Sequence, residues 1–244
     1  MRALILLMLL ATACPAWAAP PLVSGAGSLR LDDTSFRLDG IDAPDADQTC
    51  LDPEGKLWTC GVEARDRLKA HIANRAVRCE DKGPDPAYKL RKLGVCTIEG
   101  EAQTLNEWLV REGWAINDMT DARRRFATEE ANARESRRGL WRGCFAEPRD
   151  LRRWNLNAAK LLGAGCRPNR ENRTRATLFS VDPAMPPECP IKAKLALRAQ
   201  VVGYTGIYHT PECRSYRGLK RIQRWFCSED DARAEGFRKA LTCP

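Results

Sequence analysis

Residues 36 to 48, FRLDGIDAPDADQ, crowd Asp39, Asp42, Asp45 and Asp47 into one short loop directly behind Arg37. Carboxylate oxygens are hard donors suited to a cation such as Ca²⁺. A guanidinium fork can pair two phosphate oxygens at once. Side by side, the two groups suit a metal site with an anion-binding companion. The same aspartates beside Pro44 also suit an ordinary solvated loop. Zinc chemistry is disfavoured, because the only histidines are His71 and His209 and no CxxC pair occurs.

The loop can act only if its flanks hold it. SLRL (28–31), SFRLDGI (35–41), AVRCE (76–80) and KLGVCTI (92–98) alternate apolar and polar residues as half-buried strands do. Asp32-Asp33-Thr34 is a hairpin turn between the first two. In the second strand Phe36 and Leu38 share one face and Arg37 takes the other. Gly40 permits a bulge and Pro44 stiffens the chain between Asp42 and Asp45. Apolar residues at helical spacing predict helices over 61–75, over 105 to about 113, and through DARRRFATEEANARESRRGLW up to a stop at Gly139. Trp108, Trp114 and Trp141 are expected to pack in the core. Strands interrupted by one helix and followed by others suggest a small barrel of the OB type.

Residues 1–19, MRALILLMLLATACPAWAA, have the basic start, apolar centre and Ala16-Trp17-Ala18 ending of a secretory leader. No later segment of the sequence is apolar enough to span a bilayer. Of eleven cysteines, all but Cys14 lie beyond the leader, and an even number in an exported chain argues for disulfides. The expected pairs are Cys50 with Cys60, Cys79 with Cys96, Cys144 with Cys166, Cys189 with Cys227, and Cys213 with Cys243. Only Cys79 and Cys96, on candidate neighbouring strands, carry a structural argument. Localisation is therefore expected to be periplasmic or secreted. The formal charge of +8, one less without Arg2, favours a polyanionic partner. Composition divides the rest into a first domain at 20–155, a polar and proline-rich linker at 156–188, and a cysteine-rich module at 189–244.

Five segments in order, RLDGIDAPDADQ (37–48), CGVEARDRL (60–68), YKLRKLGVC (88–96), LNEWLVREGWA (105–115) and RRGLW (137–141), resemble the thermonuclease, or staphylococcal-nuclease-like, family. The resemblance covers residues 23 to about 154. It implies an α+β protein: a five-stranded OB-fold barrel with about three helices, followed here by a small disulfide-linked C-terminal domain. It also implies a Ca²⁺-dependent nuclease acting on DNA and RNA with little sequence preference. Matched residue by residue, Arg37 and Arg91 bind phosphate, Asp42 and the Ala43 carbonyl bind calcium, and Asp45 activates water. Tyr88 and Lys89 stand where the substrate passes.

Three departures weaken that expectation. Gly27, in Gly25-Ala26-Gly27-Ser28, replaces a calcium-binding aspartate of the family, so a weak Ca²⁺ site is expected. Asp45 stands for a glutamate, shortening its reach. An extra residue in Tyr88-Lys89-Leu90-Arg91 is expected to displace Arg91. The alternative function is a catalytically inactive nucleic-acid-binding protein of the same fold. In the C-terminal module, Ser228 and Asp231 form a capping box. Arg214, Arg217, Lys220, Arg221 and Arg224, interleaved with Tyr216 and Trp225, fit either a phosphate-gripping face or a solvated basic one.

Overall fold

The computed structural model describes residues 21–244, so the leader expected at 1–19 lies outside the described residues. The alternating segments form a mixed sheet of five strands: Leu22–Gly25, Ser28–Leu31, Thr34–Leu38, Tyr88–Ile98 and Val77–Asp85, in that spatial order. The first three meander antiparallel, with Asp32 at φ 48° in the second hairpin turn. Thr34–Leu38 then pairs parallel with Tyr88–Ile98, Arg37 opposite Leu93. Leu29, Phe36 and Leu38 are buried while Arg37 points out of that core, because successive side chains of a strand alternate between faces.

Closure into a barrel was expected, and the described residues show no ladder joining the two edge strands. The helix Cys60–Ile72 packs against Leu22–Gly25 instead. At the other edge, Val77–Asp85 shifts register on both sides of Pro84 and is mostly solvent-exposed. A proline that cannot donate and a run of charges make that edge a poor template for another strand. The helix count also differs from the expected three. Among the described residues up to 155 there are four α-helices, Cys60–Ile72, Leu105–Arg111, Ala127–Glu135 and Pro148–Arg152, the last started by a proline in its first turn.

The core of this part joins Leu29, Leu38 and Ile41 from the strands to Leu68, Ile72, Leu105 and Leu109 from the helices. Trp114 and Trp141 are buried in it, and Trp108 stacks flat on His71 with ring centroids 4.0 Å apart. Asn106 is a buried polar tie: its amide nitrogen donates to the carbonyls of Asp39 and Gly94, and its oxygen accepts from the Cys96 N–H. That satisfies backbone groups at the entrance to the aspartate loop, which would otherwise be costly to bury.

Residues 156–188, linker-like in composition, carry the strand Leu161–Leu162 and the helix Glu171–Leu178. Leu178 and Phe179 pack with Ala146, Leu151 and Ala159 in a second core. A second sheet follows, ordered Arg224–Phe226, Ile191–Leu195, Gly206–His209 and Phe237–Lys239. Its core is Ile191, Ala193, Tyr208, Phe226, Ala232 and Phe237. Ser228 caps the helix Glu229–Ala234 by accepting from the Asp231 N–H. So small a core is a common reason for covalent staples. Cys189–Cys227 and Cys213–Cys243 bridge this module, and Cys50–Cys60, Cys79–Cys96 and Cys144–Cys166 bridge the preceding region. Among the described residues no helix is long and apolar enough to cross a membrane.

Candidate functional site

The aspartate loop is held at several points along its length. Gly40, at φ +77°, turns the chain out of the strand, and a side chain there would collide with the Arg125 guanidinium. That guanidinium donates to Asp39 at 2.8 Å. Ile41–Asp42 then pairs with Ile116–Asn117. Gly61, in the first turn of Cys60–Ile72, lets the helix approach the Asp45 backbone so closely that a Cβ would lie 1.8 Å from its carbonyl oxygen. The Cys50–Cys60 bridge holds that approach.

Arg37, Asp42, Ala43, Asp45 and Arg91 line one cleft, together with Gly25, Gly27 and Ser28 of the first hairpin. A Cβ on Gly27 would lie 3.3 Å from that of Ala43, so this position faces the loop. The opposite wall comes from the C-terminal module: Trp225, Phe226, Cys227, Asp231 and Glu235. Between the walls the free volume is about 40 Å³, room for a few waters and far less than a nucleotide needs.

Two arginines that the sequence reading had not assigned to the site saturate its carboxylates. Arg152, at the end of Pro148–Arg152, donates to Asp42 Oδ1. The same guanidinium reaches the Ala43 carbonyl at 3.4 Å, Asp45 Oδ2 at 3.6 Å and Glu235 Oε2 at 3.6 Å. The other oxygen of Asp42 accepts the Arg149 N–H at 3.1 Å, so Asp42 also receives an orphan donor of the helix N-terminus. Arg224, 1% exposed, donates to Asp45 Oδ2 at 2.8 Å and through two nitrogens to Asp47, whose Oδ2 also accepts the Trp225 N–H at 2.8 Å. Arg224 and Trp225 had been grouped with a basic and aromatic face. Both are buried, whereas Arg214, Arg217, Lys220 and Arg221 are exposed. In the strand Arg224–Phe226, the Arg224 side chain and the Trp225 backbone N–H meet the aspartate loop, while the Trp225 indole donates to the Pro183 carbonyl at 2.9 Å.

These pairings decide the acid–base character of the site. Burial alone would raise the Asp45 carboxyl, but the charges of Arg152 and Arg224 outweigh it and hold its pKa below the ordinary value. Glu235 moves the other way: burial raises it to about 7, against the pull of Arg152. Burial likewise raises Asp231. Arg152 gains more from Asp42, Asp45 and Glu235 than burial costs it, and its pKa is well above that of a free guanidinium. Asp45, ionised and doubly paired, is a poor proton acceptor.

Arg91 is not displaced from the cleft by the extra residue before it; its guanidinium is engaged elsewhere. Its side chain is 5% exposed and bound to Asp85 at 2.6 Å, with Asp231 at 3.7 Å. Arg37 is freer: among the described residues its one carboxylate contact is Asp118 at 3.6 Å, and its side chain is 29% exposed. It faces a wider groove of about 570 Å³ that also takes in Thr120, Arg149, Arg153 and Thr205. Tyr88 lies outside both hollows, beside Arg233 of the module. The Lys89 side chain lies outside the described residues.

The donor set does not fit calcium. Asp42, the Ala43 carbonyl and Asp45 are engaged by Arg152, and glycine stands at position 27. A cation that takes six to eight oxygens finds no free set there. Among the described residues the one metal-like grouping is His209, Cys213 and Cys243, and those two cysteines are bonded to each other. Nothing local pointed Arg152 at Asp42, a residue 110 positions away.

An open mixed sheet with helices on its flank and an arginine–aspartate cleft at the end of the third strand defines an α+β fold of the nuclease type. Residues 35–143 match the sequence model of the family described as staphylococcal nuclease homologue. The succinoglycan biosynthesis protein ExoI of Rhizobium meliloti (strain 1021) is 31% identical over 133 residues, which cover 52% of this chain and 68% of that protein. The chain belongs to the staphylococcal nuclease homologue family.

Proposed function

We propose that this protein is an exported nucleic-acid-binding member of the nuclease family, one that meets the phosphate backbone of DNA or RNA with little sequence preference and keeps its hydrolytic centre shut. The observation that carries this reading is the saturation of Asp42 and Asp45 by Arg152 and Arg224. Support for binding comes from the open groove with Arg37, Arg149 and Arg153, and from exposed Arg214, Arg217, Lys220 and Arg221. Cations along a groove attract a polyanion irrespective of its sequence. Export is supported by the apolar leader at 1–19 and by five disulfides, which persist in oxidising compartments.

The hydrolase is the second reading, favoured by the convergence of Arg37, Asp42, Asp45 and Arg91 on one cleft. In that reading Asp45 takes a proton from the attacking water while the two arginines hold the phosphate, after the module has moved aside.

Oxidised full-length protein incubated with denatured DNA, across a Ca²⁺ series and in chelator, separates the two. Salt-sensitive band shifts without cleavage are expected. Ca²⁺-dependent cleavage abolished by Arg37→Ala would transfer the function to the hydrolase, and no binding at any salt would remove both readings.

A further inference from the structure

The Arg152 guanidinium sits among an unusual set of oxygens. It meets Asp42 Oδ1, the Ala43 carbonyl, Asp45 Oδ2 and Glu235 Oε2, three carboxylates and a carbonyl with one cation in their midst. Three of these four are the oxygens that the family resemblance assigns to calcium binding and catalysis. The position opposite, where a further acidic ligand would stand, is Gly27 against Ala43. A guanidinium suits such a place: it is planar, offers five N–H donors over several directions, and keeps its charge at any physiological pH.

We propose that Arg152 is this protein's built-in replacement for a divalent cation, ordering the loop from Asp42 to Asp45 without metal, and that its removal opens a divalent-cation site formed by Asp42, the Ala43 carbonyl, Asp45 and Glu235. The proposal rests on the reading of the centre as closed.

The surroundings of Arg152 support it. Arg152 lies beyond the family-matched segment 35–143. Its helix is fixed by its own target, since Asp42 accepts both the Arg149 N–H and the Arg152 side chain. The Cys144–Cys166 bridge, closing just before this helix, holds its root. The guanidinium side chain is 13% exposed, so the surrounding carboxylates have little water to replace it. Charge balance also argues for the exchange: without Arg152, among the described residues Asp45 would keep a salt bridge only to Arg224, Asp42 would lose its guanidinium contact, and Glu235 would be left to the longer-range charges of Arg224 and Arg91.

The test is divalent-ion binding, independent of any nucleic acid. Wild-type protein with its disulfides intact is heated in chelator and in Ca²⁺ up to about 10 mM, above the roughly 0.1–1 mM dissociation constants of extracellular calcium modules. No shift in the unfolding midpoint is expected, and no Tb³⁺ luminescence sensitised by Trp225, which lines the cleft. Arg152→Ala is expected to unfold at lower temperature in chelator, to recover with Ca²⁺, and to sensitise Tb³⁺. Should that variant not fold, Arg152→Gln, which keeps the bulk and removes the charge, is titrated in its place.

Ca²⁺ stabilisation of the wild type lost in Asp42→Asn would overturn the proposal. So would an Arg152 variant, folded, that neither gains midpoint with Ca²⁺ nor sensitises Tb³⁺. Failure of DNA binding, by contrast, would remove the functional reading above and leave this result untouched.

Discussion

The closed cleft and the open groove share Arg37, Asp42, Arg91, Arg152 and Glu235, yet the two hollows have opposite characters. On the cleft side every carboxylate of the loop meets a guanidinium from elsewhere in the chain, and two more carboxyls, Asp231 and Glu235, are driven toward neutrality by burial. On the groove side Arg37 holds only one longer contact and faces solvent with Arg149 and Arg153. A site for hydrolysis needs unsaturated carboxylates and a cation; a site for holding phosphate needs only accessible guanidiniums. The first requirement is cancelled here and the second is kept.

The largest expected effect tests the cancelled side. Arg224 and Asp47 have side chains 2% exposed, and removing one partner of such a pair leaves an uncompensated buried charge that typically costs ~3–5 kcal/mol. Asp47→Ala should lower the unfolding free energy in urea by that much. A loss under ~1 kcal/mol, the scale of a solvent-exposed pair, would mean that the module does not lean on the loop.

Next in size is a pH effect at Glu235. A carboxyl whose folded pKa lies above its unfolded value binds more protons in the folded state. The stability it contributes is therefore full below pH 4.5 and lost as pH rises toward 7. Glu235→Gln mimics the protonated form, so the two proteins should match at pH 4 and the variant should be more stable at pH 8, by on the order of 2 kcal/mol. Urea midpoints at the two pH values give the comparison, and an unchanged difference would deny the raised pKa.

Arg37→Ala addresses the open side. It should weaken DNA binding by about 1 kcal/mol and reduce the slope of log K against log salt by about 1, as expected for one lost phosphate contact. Fluorescence anisotropy at several salt concentrations measures both. The smallest expected effect is none at all: Gly27→Asp alone should leave Ca²⁺-dependent cleavage undetected, because Arg152 still engages the remaining donors. A gain from that single change would show that the missing aspartate, not the internal guanidinium, silences the centre.

Much of the scaffold could be read without coordinates. Alternation placed Phe36 and Leu38 inside and Arg37 outside, helical spacing marked the region of Cys60–Ile72, and Ser228 with Asp231 marked a helix start. Such signals are legible because they arise from backbone periodicity and from hydrogen bonds between near neighbours. The open edge of the first sheet was less visible, since closure depends on which distant strand reaches an edge first. The helix Glu171–Leu178 was missed because its outer face is polar and only Leu178 and buried Thr174 turn inward.

What the sequence by itself determined is the family, the residue types at Arg37, Asp42, Asp45 and Arg91, and the local geometry that carries them. Whether those residues are available for chemistry was decided only by the tertiary structure. Asp42 meets Arg152 and Asp47 meets Arg224 across 110 and 177 positions of chain. No local periodicity specifies such pairs. Buried charge is tolerated only where folding brings an opposite charge to meet it, and here folding spends the aspartates of the loop on arginines from the C-terminal half of the same chain.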